Sequence, residues 1–221
     1  MNKNQKKEVM AKIVDRLKAI YPEAVCALEW GGNEPWRLLV MARLSAQCTD
    51  ARVNIVCRSL FAKYPTLDSL ADARLEDIED IVRPCGLFRT KADSIKRACI
   101  MLRDEFGGVV PDNMSDLLRL PGVGRKIANL ILGDVYGKPA VVADTHCIRI
   151  CGRFGMYSTD MKDPTKVEKI MSELIAPYEQ SDFCHRIVQF GRDTCSARSP
   201  KCSECPISEL CSYNKKQTSI L

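Results

Sequence analysis

The chain has 221 residues, a net charge of +5, and 46% hydrophobic against 28% charged residues, a balance that excludes a disordered or fibrous protein. Apolar runs such as Leu38–Ala42 and Ala140–Ala143 fall far short of the roughly 20 residues that cross a bilayer. The opening Met1–Glu8 lacks the apolar segment of a secretory signal, so no membrane partner and a cytoplasmic setting are expected. The mild excess of positive charge permits a nucleic-acid partner without requiring one.

Helical spacing recurs along the chain, broken by turn residues. Val53, Val56 and Leu60 share one helix face. Tyr64-Pro65-Thr66 then ends that segment, and Thr66 is placed to cap a helix over Leu67–Ala73. An acidic stretch follows over 72–80 (Asp72, Glu76, Asp77, Glu79 and Asp80 against Arg74 alone), and then a basic one over 83–103 that opens with the turn Arg83-Pro84-Cys85-Gly86 (Arg83, Arg89, Lys91, Lys96, Arg97 and Arg103 against Asp93 alone). The acidic run reads as a solvated helix face. The basic run is either such a face or part of an anion-binding surface. Gly107-Gly108 and Pro111-Asp112 break the chain again, before a helix carrying Ile127, Leu130, Ile131 and Val135 on one side. Gly137-Lys138-Pro139 ends it, and Val167, Ile170, Met171, Leu174 and Ile175 mark a later helix that stops at Ala176-Pro177. No stretch alternates as a strand would, so the expected fold is all-α.

Three motifs carry chemistry. In Leu118-Arg-Leu-Pro-Gly122-Val123-Gly124-Arg125-Lys126 two glycines stand in a tight turn between helices. Their turn lets a partner come close to the backbone, and the amides of Gly122, Val123 and Gly124 are expected to converge on one phosphate at a helix N-terminus. With Ala128 and the Arg125-Lys126 pair, this is the pattern of a helix-hairpin-helix that holds a DNA backbone without reading its sequence. Next, in Val142-Ala143-Asp144-Thr145-His146, Asp144 is expected to cap the helix that begins at Thr145. Taken alone, His146 reads as structural, and Cys147 and Cys151 as core residues. Lys126 beside a helix N-terminus and a neighbouring cation would more easily give up a proton and act as a nucleophile. A carboxylate such as Asp144 could support positive charge on a sugar ring or assist proton transfer.

The third motif is metallic. Eight of twelve cysteines are scattered from Cys26 to Cys184, but Cys195, Cys202, Cys205 and Cys211 are clustered. Scattered cysteines in a reducing compartment are small buried hydrophobes, whereas four close thiols enclose a metal centre. The spacing of 6, 2 and 5 intervening residues leaves both iron–sulfur and zinc open. Arg192, Arg198, Lys201, Lys215 and Lys216 lie around it and could make a second backbone contact with DNA.

Together, Leu44-Ser45-Ala46-Gln47-Cys48-Thr49-Asp50, Gly86-Leu87-Phe88-Arg89-Thr90-Lys91-Ala92, Leu120–Lys126, Val142–His146 and the cysteine spacing resemble the endonuclease III family of helix-hairpin-helix DNA glycosylases. That resemblance implies a six-helix barrel domain over 28–138 and a second domain from 1–27 and 139–221 carrying a [4Fe–4S] cluster on Cys195, Cys202, Cys205 and Cys211. DNA would lie in a groove between them. It implies a monomeric, bifunctional glycosylase and abasic-site lyase of base excision repair, acting in bacterial cytoplasm on double-stranded DNA with oxidised pyrimidines or abasic sites. Lys126 would be the Schiff-base nucleophile and Asp144 its helper. Gln47 would fill the space of the extruded base and Leu87 would wedge against the opposite strand. Gly122, Val123, Gly124, Arg125 and His146 would contact DNA. The sequence departs from the family's usual pattern at Cys48, Phe88 and Arg89, close to the expected lesion, and at Ile127. A monofunctional adenine glycosylase of the same fold would lack the lysine. A non-catalytic iron–sulfur protein that binds DNA or senses redox state would have no use for the Lys126–Asp144 pair.

Overall fold

The structure, a computed structural model, describes residues 1–218. Helices and turns account for its regular structure, and no strand occurs among the described residues. Two units emerge: one formed by residues 1–25 and 137–221, the other by residues 26–136.

The first helix, α1 (Lys3–Ile20), starts at a capping box in which Asn2 and Gln5 exchange side-chain and backbone hydrogen bonds. The chain then passes into the central unit. There α2 (Pro35–Leu44), α3 (Asp50–Lys63), α4 (Leu67–Asp72), α5 (Leu75–Val82), α6 (Phe88–Phe106) and α8 (Arg125–Asp134) form six helices, joined by the single turn α7 (Met114–Leu117). Thr66 caps α4 as its position indicated, through a box with Ser69. The long α6 packs on α2, α4 and α5, while α8 packs on α2 and α7. Leu38, Met41, Leu60, Ile78, Ile95, Leu102, Leu117 and Ile131 are buried within this unit.

Three arginines of the basic run are paired, two of them with carboxylates of the acidic run. Arg83 pairs with Asp80, Arg97 with Asp93, and Arg103 with Asp72 and Asp104. Lys96 donates to the carbonyls of Ala71 and Ala73 at the end of α4, where orphan carbonyls need donors. Of this run Arg89 has no carboxylate partner shown, and its guanidinium stands 5.6 Å from the Phe88 ring.

The other unit is completed by α9 (Thr145–Phe154), α10 (Pro164–Leu174), α11 (Gln180–Asp193) and α12 (Ser212–Thr218). Its core joins Met10, Ile13 and Leu17 of α1 to Ile150 and Phe154 of α9, Val167 and Met171 of α10, and Phe183, Ile187 and Phe190 of α11. Cys147, Cys151 and Cys184 are buried in it, as expected of cysteines that pack as small hydrophobes. No described helix is long and apolar enough to cross a membrane.

Candidate nucleic-acid interface and cluster site

In the central unit three loops carry the expected interface. The α2–α3 loop holds Gln47, the turn before α6 holds Leu87, and the α7–α8 turn holds Gly122, Val123 and Gly124. Gln47 (φ 56°) and Leu87 (φ 48°) are the two non-glycine residues with positive φ among the described residues. Each costs about 1–2 kcal/mol in that conformation. Both side chains are exposed, Leu87 by 60% despite being apolar. Positive φ together with exposure sets both residues apart from the packed core.

The glycine turn divides its labour. Gly122 (φ 79°) has no room for a side chain, because a Cβ there would lie 2.6 Å from Arg43 Nε and 2.8 Å from Ser94 Cβ. Gly124, the N-cap of α8, has ordinary extended φ and no atom within 4 Å of such a Cβ. Its openness faces outward, so its missing side chain leaves space for a partner. Val123 differs from expectation: its side chain is buried and its amide donates to Leu120 O at 3.1 Å. Its amide thus closes the turn and is not among those left to an anion. Arg125 and Lys126 are exposed in the first turn of α8, beside the helix end that attracts phosphate.

In the terminal unit α9 connects the remaining residues. Asp144 caps it in extended conformation, with Oδ1 accepting from Cys147 N at 2.7 Å. His146, one residue into the helix, is half-buried with Nδ1 3.2 Å from Arg149 Nη2. It also abuts Gly191 of α11 so closely that a Cβ there would lie 2.3 Å from Nδ1. The ring therefore fills a close crossing of α9 and α11, in line with the structural role that its sequence context suggests. Farther along α9, Arg149 Nη2 donates to Cys195 O at 3.0 Å. Arg153 donates to Cys195 Sγ at 3.2 Å, Ser196 O at 2.7 Å and Ala197 O at 2.8 Å. Lys126 belongs to the central unit and Asp144 to the terminal one.

The four cysteines lie together, as their clustering in the sequence indicated. Cys195 follows the end of α11, held by its amide on Phe190 O. Cys202 and Cys205 bracket one 3-10 turn and Cys211 ends another. All four line a single cavity with Phe154, Phe190, Pro200 and Tyr213. Burial pushes the Cys205 thiol above its ordinary range, and the charges of Cys195, Cys211 and Cys202 add to that effect. Four thiols lining one cavity are a donor set that fits an iron–sulfur cluster. Arg198, Lys201 and Lys215 are exposed nearby, and the side chain of Lys216 lies outside the described residues.

Lys91 was not singled out as a site residue by the sequence, where it counts as one more charge of the basic run. It is fully buried in the structure. Its helical phase was the available signal: Lys91, Ser94, Ile95, Ala98 and Leu102 are all buried on one side of α6.

Comparison with known proteins shows the family. The model of the HhH-GPD superfamily base excision DNA repair protein matches residues 40–177, and that of the iron–sulfur binding domain of endonuclease III matches residues 195–211. Endonuclease III of Synechocystis sp. is 42% identical over 93% of each chain. Endonuclease III of Escherichia coli K12 is 33% identical over 98% of this chain and 99% of its own. A solved structure of a non-covalent endonuclease III–DNA complex superposes with a TM-score of 0.89 at 39% identity, covering 96% of this chain and 98% of that one. A trapped endonuclease III–DNA covalent intermediate gives the same score at 40% identity, with the same coverage. The chain thus belongs to the endonuclease III family of HhH-GPD base excision repair proteins: it is a DNA glycosylase and abasic-site lyase that carries an iron–sulfur cluster.

Proposed function

We propose that this protein removes oxidised pyrimidines from double-stranded DNA through Lys126 and then cleaves the strand. The observation that carries this reading is Lys126 itself. It is exposed in the first turn of α8, directly after the open Gly124, and makes no hydrogen bond or ion pair among the described residues. A phosphate seated at that helix end brings the sugar of the same strand toward its amine.

The damaged base must first leave the stack, which costs a few kcal/mol and less where damage has weakened pairing. Gln47 fills the space it leaves, and Leu87 wedges against the opposite strand. Their left-handed backbones, which present both side chains to solvent, support this assignment. Lys126 Nζ then attacks C1′. The glycosidic bond breaks and the base leaves with its electron pair and one amine proton; the C1′–O4′ bond then opens, O4′ taking a proton from solvent, to give an iminium between Nζ and C1′. Loss of a C2′ proton expels the 3′ phosphate by β-elimination, and water releases the lysine. The Asp144 carboxylate supports the positive charge of the sugar and iminium. Cys195, Cys202, Cys205 and Cys211 hold the [4Fe–4S] cluster, which supplies a rigid staple for a loop too small to build its own core. The protein acts as a monomer in the cytoplasm, on the nucleoid.

Borohydride trapping on a duplex with one thymine glycol tests the proposal. The parent protein is expected to form a covalent adduct and Lys126→Ala none. Trapping on an abasic site alone would reject the lesion class and keep the lyase. No adduct on either duplex, from protein with an intact cluster, would overturn the assignment of Lys126.

A further inference from the structure

Lys91 carries a charge into the core of the central unit with no carboxylate partner shown beside it. The side chain is 0% exposed, and Nζ donates to Leu44 O at 2.9 Å and to Cys85 O at 2.8 Å. Burial pulls its ammonium below the ordinary lysine range. Isolated buried charges are costly, and an apolar residue of similar size would usually pack there at lower cost. What the ammonium adds is therefore its donors, and where they point.

The two carbonyls are not equivalent parts of one helix. Leu44 O is the end of α2, three residues before Gln47, and Cys85 O precedes Gly86 and Leu87. The same residue's amide donates to Leu87 O at 3.0 Å. Its own carbonyl accepts from Ser94 Oγ at 3.0 Å, and Ser94 Oγ accepts from Arg43 Nε at 2.8 Å. Arg43 and Ser94 are in turn the atoms against which Gly122 closes. One buried polar node therefore touches all three loops of the interface.

We infer that Lys91 is a positioning residue, which sets the spacing between Gln47 and Leu87 so that both enter the duplex together. The inference rests on the reading that those two side chains enter the DNA. It does not give Lys91 any contact with substrate. A floppy pair of loops would still meet the phosphate backbone through the α8 turn but could not hold the base pairs apart. The role therefore belongs to base extrusion rather than to affinity.

The test uses the cluster-loaded protein and a thymine glycol duplex with 2-aminopurine next to the lesion, whose fluorescence rises on unstacking. Lys91→Met is expected to bind undamaged duplex within about twofold of the parent, to lose the fluorescence rise, and to slow single-turnover base excision by about tenfold or more. Cleavage of a pre-formed abasic site, which needs no base extruded, should fall much less. Lys91→Arg keeps a cation that can donate to both carbonyls and should restore part of the signal. A residue that merely stabilised the fold would lower both activities and duplex binding in step with the folded fraction, and that result would overturn the inference. Should Lys91→Met not fold, Ser94→Ala, which cuts the link to Arg43, is expected to weaken the fluorescence rise, and an unchanged signal there would also overturn it. Gln47→Ala and Leu87→Ala run alongside. Their failure to change the signal would reject the underlying reading, whereas loss of signal in both with a normal Lys91→Met would reject the role of Lys91 alone.

Discussion

Replacing the two glycines of the α7–α8 turn one at a time separates the fold from DNA binding. Gly122→Ala places a Cβ 2.6 Å from Arg43 Nε and 2.9 Å from Arg43 Cδ, at a φ of 79°. The left-handed alanine costs about 1–2 kcal/mol, and the overpacked contact with Arg43 and Ser94 adds about 1–3 kcal/mol. The sum of about 2–5 kcal/mol lowers the melting temperature by roughly 4–20 °C for a chain of this size. Gly124→Ala meets nothing within 4 Å and has ordinary φ, so it loses only the N-cap advantage of glycine over alanine, about 1 kcal/mol. Its cost falls on the partner instead. A methyl group where a phosphate approaches the backbone removes one charge-assisted hydrogen bond, about 1.5–3 kcal/mol, or roughly 10–100-fold in affinity. Urea titration followed by circular dichroism reports the first effect, and fluorescence anisotropy with an undamaged labelled duplex reports the second. Duplex affinity unchanged in Gly124→Ala, or full stability in Gly122→Ala, would refute the division.

Three further outcomes are expected. Leu87→Gly removes a strained left-handed residue worth about 1–2 kcal/mol and loses little burial, since the side chain is 60% exposed. Glycine's added flexibility in the unfolded chain offsets about 0.5–1 kcal/mol of that relief. Thermal stability should stay level or rise slightly while base excision falls, and a parallel fall in both would count against the wedge. Arg153→Met removes the donors to Cys195 Sγ, Ser196 O and Ala197 O. The visible absorbance of the cluster should then decay about tenfold faster in chelator, as expected when charged hydrogen bonds worth about 1.5–3 kcal/mol are lost. An unaltered decay would mean that the loop holds itself. Glu179 is held below the ordinary carboxylate range by hydrogen bonds from Lys18 and Arg186. With the folded value depressed, its stabilisation is complete above the unfolded value of about 4.3 and is lost as pH falls through the folded one. Glu179→Gln should accordingly flatten the acid limb of the stability curve below about pH 4.5, and an identical slope in urea melts from pH 3 to 6 would refute the pairing.

Where chemistry depends on a local pattern, the sequence was readable. The glycine turn, the Asp144 cap and the clustered cysteines each act through a few neighbouring residues, and periodicity alone led to an all-helical chain. The Val123 amide had a local signal that was passed over: in Leu120-Pro-Gly-Val123 the Pro-Gly pair marks a turn whose fourth amide returns to the first carbonyl. Reading stopped where tertiary structure reassigns a group. The basic run looked like a surface because spacing shows only which face a charge occupies on its own helix. It does not show that Asp72 and the end of α4 wait on another. His146 read as structural from its own context, but only the structure names Gly191, far along the chain, as what it packs against.

Backbone strain was the least legible feature and the most informative once seen. Nothing in Ser-Ala-Gln-Cys or Cys-Gly-Leu-Phe specifies a left-handed glutamine or leucine, and both residues locally prefer other conformations. Such a conformation persists only if the surroundings outweigh its cost. The buried ammonium of Lys91 supplies part of that constraint by holding a carbonyl three residues before Gln47 and one two residues before Leu87. A charged residue on the buried stripe of a helix and two strained residues on its neighbours are each unfavourable alone. They become intelligible as one device, in which internal hydrogen bonds keep two exposed side chains in a conformation that neither loop would hold by itself.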